Sequence, residues 1–296
     1  MIQLTSKNIS LSSLAHLSAV TQTIMQGASF EDQVQKAKSK WNNKGSGLGQ
    51  GAFADIKKTL LEMCVGVEIC AYCEQNEATD IEHIFPKRLY PEKAFSWENY
   101  IFACSKCNTH HKSDKFKIFD PKNSVIETDI TPKRGTFTKP PTEDSLFINQ
   151  RIEDPMDFFE LDLVNQQFIF TEKHPPGTRN YLKAKFTKEV LGLNTRATLI
   201  ESRKKAVMFY ISRLEKFVKA SATTTHEELS NSINDDWKSV DHAKDFVQEK
   251  TRILSSIKKD ILEYSHPTVW KELIRQRANL PKTNNLLLQA PEALTW

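Results

Sequence analysis

The sequence predicts an α+β protein in which a small cysteine-stapled centre is set between N-terminal helices and a mostly α-helical C-terminal region. Three observations lead there. Four of the five cysteines fall in two C-x-x-C pairs, Cys70 with Cys73 and Cys104 with Cys107. Apolar residues on both sides of these pairs recur at the spacing of a helix face. Short β-branched and aromatic runs appear in the middle of the chain, where helical spacing lapses.

Residues 1–68 read as helical. Ser29 followed by Asp32 is the pattern that caps a helix, here running through Trp41. A further helix is expected from about Phe53 to Cys64. Between them Lys44–Gly51 (KGSGLGQG) is polar and glycine-rich, and reads as a flexible loop without the spacing of a phosphate cradle. Residues 69–122 hold the chemistry. Residues 123–144, rich in Pro, Thr and Lys from Ile130 onward, read as a linker or long loop. Beyond 145, the runs Phe158–Leu163 and Gln167–Phe170 read as strands about a turn at Asn165-Gln166. The remainder of 145–296 is expected to be mostly helical. Leu199, Val207, Tyr210, Ile211, Leu214, Phe217 and Val218 keep a helical period, as do Ile253, Ile257 and Ile261. Thr225 with Glu228 offers a second cap.

Composition narrows the class. With 296 residues, 39% hydrophobic and 26% charged, the chain is long enough for a core that needs no disulfides. No apolar run approaches the roughly 20 residues of a membrane span. The N-terminus lacks the basic-then-apolar order of a secretion signal, so a cytoplasmic location is expected. A net charge of +4 is compatible with nucleic acid without arguing for it. The stretch 103–122 says more: Lys106, Lys112, Lys115, Lys117 and Lys122 face only Asp114 and Asp120.

Paired cysteines in a chain of this kind more often bind metal than form disulfides. Zinc takes four thiolates in a tetrahedron, and each C-x-x-C turn presents two of them. Such a closed site leaves no open position, so the expected zinc is structural. Cys64 stands apart and reads as a small core residue. A redox role lacks the βαβ context, whereas a four-cysteine module that only binds DNA or protein is a real competitor.

The segment between the pairs separates these readings. It runs Asp80-Ile81-Glu82-His83-Ile84-Phe85-Pro86-Lys87, then Trp97-Glu98-Asn99-Tyr100, then Cys107-Asn108-Thr109-His110-His111-Lys112. An acid and a histidine before a proline, an interior asparagine, and an asparagine directly after the last cysteine resemble the HNH (ββα-metal) endonucleases in their four-cysteine form. The resemblance covers about fifty residues. It implies a ββα-metal core and hydrolysis of DNA with Mg²⁺ or Mn²⁺, leaving 5′-phosphate and 3′-hydroxyl ends. A histidine suits the base because its unperturbed pKa lies near 6.5. A hard divalent cation takes oxygen ligands and relieves charge on the phosphate and leaving oxygen.

Carried over by residue, the resemblance makes His83 the general base, Glu82 a metal ligand, Asn99 the residue that orients the base through its loop, and Asn108 the last metal ligand. Neighbours in a strand face opposite ways, so the strand must end or bend at His83 for Glu82 to share its phosphate. Glu is less usual than Asp before the base, and Asp80 is an alternative acid. His111, three residues beyond Asn108 on the expected helix, is a candidate further ligand; His110 reads as exposed. Lys87, Arg88, Lys112 and Lys115 are candidate DNA contacts.

A weaker resemblance extends further. Ile148-Asn149-Gln150-Arg151-Ile152-Glu153-Asp154-Pro155, Val190-Leu191-Gly192-Leu193-Asn194, Arg203, and the run from Cys107 to Phe116 look like the HNH proteins of bacterial anti-phage defence, in particular the HNH partner of an ATPase in Septu-type and retron systems. This chain has no nucleotide-binding loop, so the resemblance implies a separate ATPase partner, with 145–296 serving partner or DNA binding. The competing reading is a zinc-dependent DNA-binding or scaffold protein with an inactive core.

Overall fold

The computed structural model describes residues 1–64, 68–234 and 238–296. The chain forms two compact units: Met1–Glu160 with Phe170–Arg196, and Leu161–Ile169 with Ala197–Trp296.

The first unit opens with helices α1 (Leu11–Met25), α2 (Phe30–Asn42) and α3 (Leu48–Met63). Ser29 caps α2 as its sequence position predicts, its hydroxyl accepting from the Asp32 N–H at 3.1 Å. Asp32 returns a bond by accepting from the Ala28 N–H at 3.0 Å. α3 starts inside the glycine-rich stretch that reads as a loop. Its glycines serve a tight turn: Gly47 has φ +54°, and a Cβ on Gly49 would lie 2.2 Å from the Lys44 carbonyl oxygen. Leu48–Gly51 are therefore the first turn of the helix.

Strand β1 (Asp80–His83) pairs antiparallel with β2 (Tyr100–Ala103), His83 opposite Tyr100 and Glu82 opposite Ile101. A π-helical turn, Lys106–Lys112, follows. Two antiparallel strands and a helical turn are the ββα arrangement expected of this segment. β3 (Lys117–Asp120) and β4 (Asn123–Asp129) then form a hairpin. The expected linker thus begins as a strand. Every residue of β4 is exposed or half-exposed, so no apolar alternation marks it. The turn is instead held by Asp120, whose carboxylate accepts from the N–H groups of Lys122 and Asn123 at 2.8 and 3.2 Å.

A third pair of strands, β5 (Phe159–Leu161) and β6 (Phe170–Glu172), lies where the sequence expects one, with its strands shifted by up to three residues. Helix α4 (Arg179–Val190) completes the first unit. The second unit is helical: α5 (Ala197–Ser221), α6 (His226–Ile233), α7 (Phe246–Leu262), α8 (Pro267–Arg275) and α9 (Pro281–Gln289). Leu199, Tyr210, Leu214 and Phe217 of α5, and Ile253, Ile257 and Ile261 of α7, are all buried. Thr225 caps α6, accepting from the Glu228 N–H at 3.2 Å. Among the described residues no helix is long and apolar enough to cross a membrane.

The Ile148–Arg151 run acts as a rivet within the first unit. Gln150 donates from Nε2 to the carbonyls of Ile2 and Ala71, at 2.8 and 2.9 Å. Arg151 donates from Nη1 to the carbonyls of Trp97 and Tyr100, at 3.1 and 3.0 Å, and lies 4.4 Å from the Trp97 ring centroid. One guanidinium therefore ties the carbonyl of Trp97, which also accepts from the Tyr100 N–H, to that of Tyr100 at the start of β2. Replacing Arg151→Met is expected to lower unfolding free energy by about 2–3 kcal/mol, read by equilibrium denaturation. A change within 0.5 kcal/mol, by the usual measure of surface substitutions, would show that those carbonyls find other partners.

Candidate functional site

The site begins with the four cysteines. All four are buried, and their sulfurs lie within 4.8 Å of one another. Cys73 Sγ and Cys104 Sγ are 3.9 Å apart. Tetrahedral zinc with bonds of about 2.3 Å sets sulfurs about 3.8 Å apart, so the donor set fits that ion. The backbone prepares the knuckles: the Cys70 N–H donates to the Asn76 carbonyl at 2.8 Å, and Glu74 takes a left-handed φ of 57° to close the turn. Among the donors that point at sulfur are the Cys107 N–H to Cys104 at 3.4 Å, Asn76 Nδ2 to Cys104 at 3.7 Å, and Arg196 Nη1 to Cys107 at 3.3 Å. Such bonds favour thiolates, and the Arg196 charge offsets the excess negative charge of four of them. No sequence signal marks Arg196; it lies far along the chain from the cysteines.

β1 ends at His83, whose backbone is succeeded by a bend. His83 is buried, and its Nε2 donates to the Ala94 carbonyl at 3.0 Å, which leaves Nδ1 as the basic nitrogen. Asn99 fixes the loop that supplies this carbonyl. Its Oδ1 accepts from the Phe85 N–H at 2.7 Å, while its Nδ2 donates to the carbonyls of Phe85 and Lys93 at 3.0 and 2.9 Å. The Trp41 ring lies 4.1 Å from the imidazole, centroid to centroid. Burial pushes the pKa of His83 down from 6.5 to about 3; the Lys87 charge adds to this, the Ala94 bond opposes it, and Lys112 and Lys44 add further. The imidazole is neutral at physiological pH.

Glu82 turns inward. Its Oε1 is 2.6 Å from the Lys112 ammonium, and both side chains are almost wholly buried. Burial pushes the Glu82 pKa up, against the pull of Lys112. Lys112 also donates to the His83 carbonyl at 2.7 Å. This corrects the expectation that Lys112 contacts phosphate: at 0% exposure it is a buried counter-charge that ties β1 to the π-helical turn. Asn108 donates from Nδ2 to Asp80 Oδ2 at 3.0 Å, so Asp80 fixes the orientation of its amide.

A cavity of about 250 Å³ brings Glu82, His83, Asn108, Lys87, Asp114 and Trp41 together. His111 is not among its lining residues. It packs against Gly192, where a Cβ would come within 2.8 Å of the imidazole Cε1. The expected alignment with Asn108 presumes an α-helix, whereas this turn closes i→i+5, the Ser113 N–H donating to the Asn108 carbonyl at 2.7 Å. Residues three apart then no longer share a face. His110 and Lys115 are exposed. Arg88 donates to the Lys133 carbonyl at 2.5 Å. Trp41 and Lys44, with Lys44 Nζ 4.7 Å from the Trp41 ring centroid, are site residues that sequence reasoning missed. Only the end of α2 and the tight turn after it bring them there.

A ββα centre bracketed by four clustered cysteines, with a buried, carbonyl-anchored histidine, is also what comparison with known proteins singles out. The sequence model of the HNH endonuclease family matches residues 70–114, so the chain contains an HNH endonuclease domain. The chain is similar to the Septu protein PtuB of Bacillus thuringiensis, 37% identical over 73 residues, which cover 22% of this chain and 28% of that one. The matched part is thus a little over a quarter of the relative's length. No solved structure matches.

Two outcomes are expected. The purified protein should carry zinc, and Cys104→Ser should lose it together with a large part of the thermal stability, read by metal analysis and calorimetry; full zinc retention would sink the four-thiolate assignment. His83, with a pKa depressed to about 3 from about 6.5, binds fewer protons folded than unfolded between those values. Its contribution to stability is complete above pH 6.5 and is lost as the pH falls toward 3, at roughly 1.4 kcal/mol per unit. His83→Gln should flatten that slope, and equal slopes in both proteins would contradict the buried neutral imidazole.

Proposed function

We propose that this protein is a divalent-metal-dependent endonuclease that hydrolyses DNA phosphodiester bonds as the nuclease of a bacterial anti-phage defence system, beside a separate ATPase. The observation behind the activity is that His83, neutral and anchored through Nε2, shares one cavity with Glu82 and Asn108. The HNH match to 70–114 supports the same chemistry. The defence setting rests on the similarity to a Septu protein and on the run from Cys107 to Phe116.

In this reading His83 Nδ1 takes the proton of the attacking water. Asn99 and Ala94 are its positioning groups, holding the ring through the loop. Glu82 and the amide oxygen of Asn108 would hold the Mg²⁺ or Mn²⁺, a donor set of hard oxygens that fits such an ion. Asp80 turns the Asn108 amide so that its nitrogen is occupied and its oxygen is available. Lys112 balances the Glu82 charge. When bound, the ion supplies Lewis-acid stabilisation of the phosphate and the leaving oxygen. Lys87 and Arg88, both half-exposed, hold neighbouring phosphates.

The test is conversion of supercoiled plasmid with Mg²⁺ or Mn²⁺ by wild type and His83→Ala. A loss of about 10²–10⁴-fold in rate, with zinc content unchanged, is expected. Equal cutting by both would remove His83 as base. If neither cuts, with the ATPase present and each metal supplied, the inactive-core scaffold reading takes its place.

A further inference from the structure

A second cavity, of about 530 Å³, opens beside the first and shares Trp41, Lys87 and Asp114 with it. We propose that it receives an unpaired nucleotide of the DNA, next to the phosphate that is cut; the proposal rests on the nuclease reading above.

Two rings line the cavity, Trp41 and Phe137. Its charged lining is Lys38, Lys87, Arg88 and Arg134 against the single acid Asp114. Phe137 belongs to the stretch whose sequence reads as a linker. The structure gives that stretch a wall to build: Arg88 donates to the Lys133 carbonyl and its guanidinium carbon lies 6.0 Å from the Phe137 ring centroid. The volume falls within the range of pockets that enclose small ligands, roughly 300–1,000 Å³.

The chemistry of the lining selects the occupant. A paired base hides both ring faces in the stack and offers only its edges to a protein. Aromatic rings therefore gain little from an intact duplex. A base that has left the stack offers its faces, and its phosphates offer charge to the lysines and arginines. Rings flanked by cations at the mouth of a hydrolytic site match that second ligand. A surface that merely follows duplex phosphates needs the cations alone.

The experiment uses the full-length His83→Ala protein, which holds substrate without cutting, and fluorescence anisotropy with three probes of one sequence: a single strand, a perfect duplex, and a duplex with a one-nucleotide bulge. Tighter binding of the single strand and bulge than of the duplex is expected. Adding Phe137→Ala should weaken those two by about tenfold, the loss of one stacked base, and leave the duplex within twofold. Arg134→Gln, at an exposed position, should weaken the same two probes selectively. Equal loss on all three probes, or no loss from either variant in protein with normal zinc content, overturns the proposal. Failure of the nuclease reading shows separately, as absent plasmid cleavage by the wild type, while these binding ratios report on the cavity alone.

Discussion

Four sulfurs within 4.8 Å of one another close the segment from Cys70 to Cys107 into a loop, and the geometry of the site follows from that closure. Four thiolates this close repel one another unless a cation sits among them, so assembling them and binding a cation such as zinc would be one event. Once they are assembled, the chain between must leave one knuckle and return to the other. β1 and β2 are that path out and back, and their register sets His83 opposite Tyr100. The Tyr100 hydroxyl and His83 Nε2 then both donate to the Ala94 carbonyl, at 2.8 and 3.0 Å. Arg196 extends the same logic outward, placing a positive charge on the sulfur of Cys107.

Lys112 solves a different problem. A carboxylate buried beside His83 costs several kcal/mol unless it is paired. One ammonium satisfies Glu82 and also binds the His83 carbonyl, which joins the π-helical turn to the end of β1. The extra residue that the π-helix accommodates keeps Asn108 facing Asp80 and the cavity while Lys112 reaches inward. The same widened turn swings His111 away toward Gly192. A single local distortion thus decides which of three polar residues face the cavity.

The N-terminal helices do more than cover the core. Trp41 at the end of α2 contacts His83, Lys44 follows within the next turn, and the glycines at 47 and 49 make the reversal tight enough for both to stay near the site. These residues make the surroundings of His83 apolar and positively charged together. Both influences favour the neutral imidazole.

The sequence by itself determined the four-cysteine cluster, the ββα order, the end of the first strand at His83, and the helical character of both flanks. Each of these is written in local spacing: C-x-x-C turns, a histidine before a proline, apolar residues at a helical period. Tertiary structure alone decided that Lys112 is buried rather than exposed, that Arg196, Trp41 and Lys44 belong to the site, and that Asn123–Asp129 is a strand. Lys112 looks like any surface lysine until the buried Glu82 beside it is known. β4 carries no apolar alternation because it buries neither face, and Arg196 is linked to Cys107 only through space. Local pattern records what a residue's neighbours in the chain require, whereas charge pairing and burial depend on neighbours that only folding supplies.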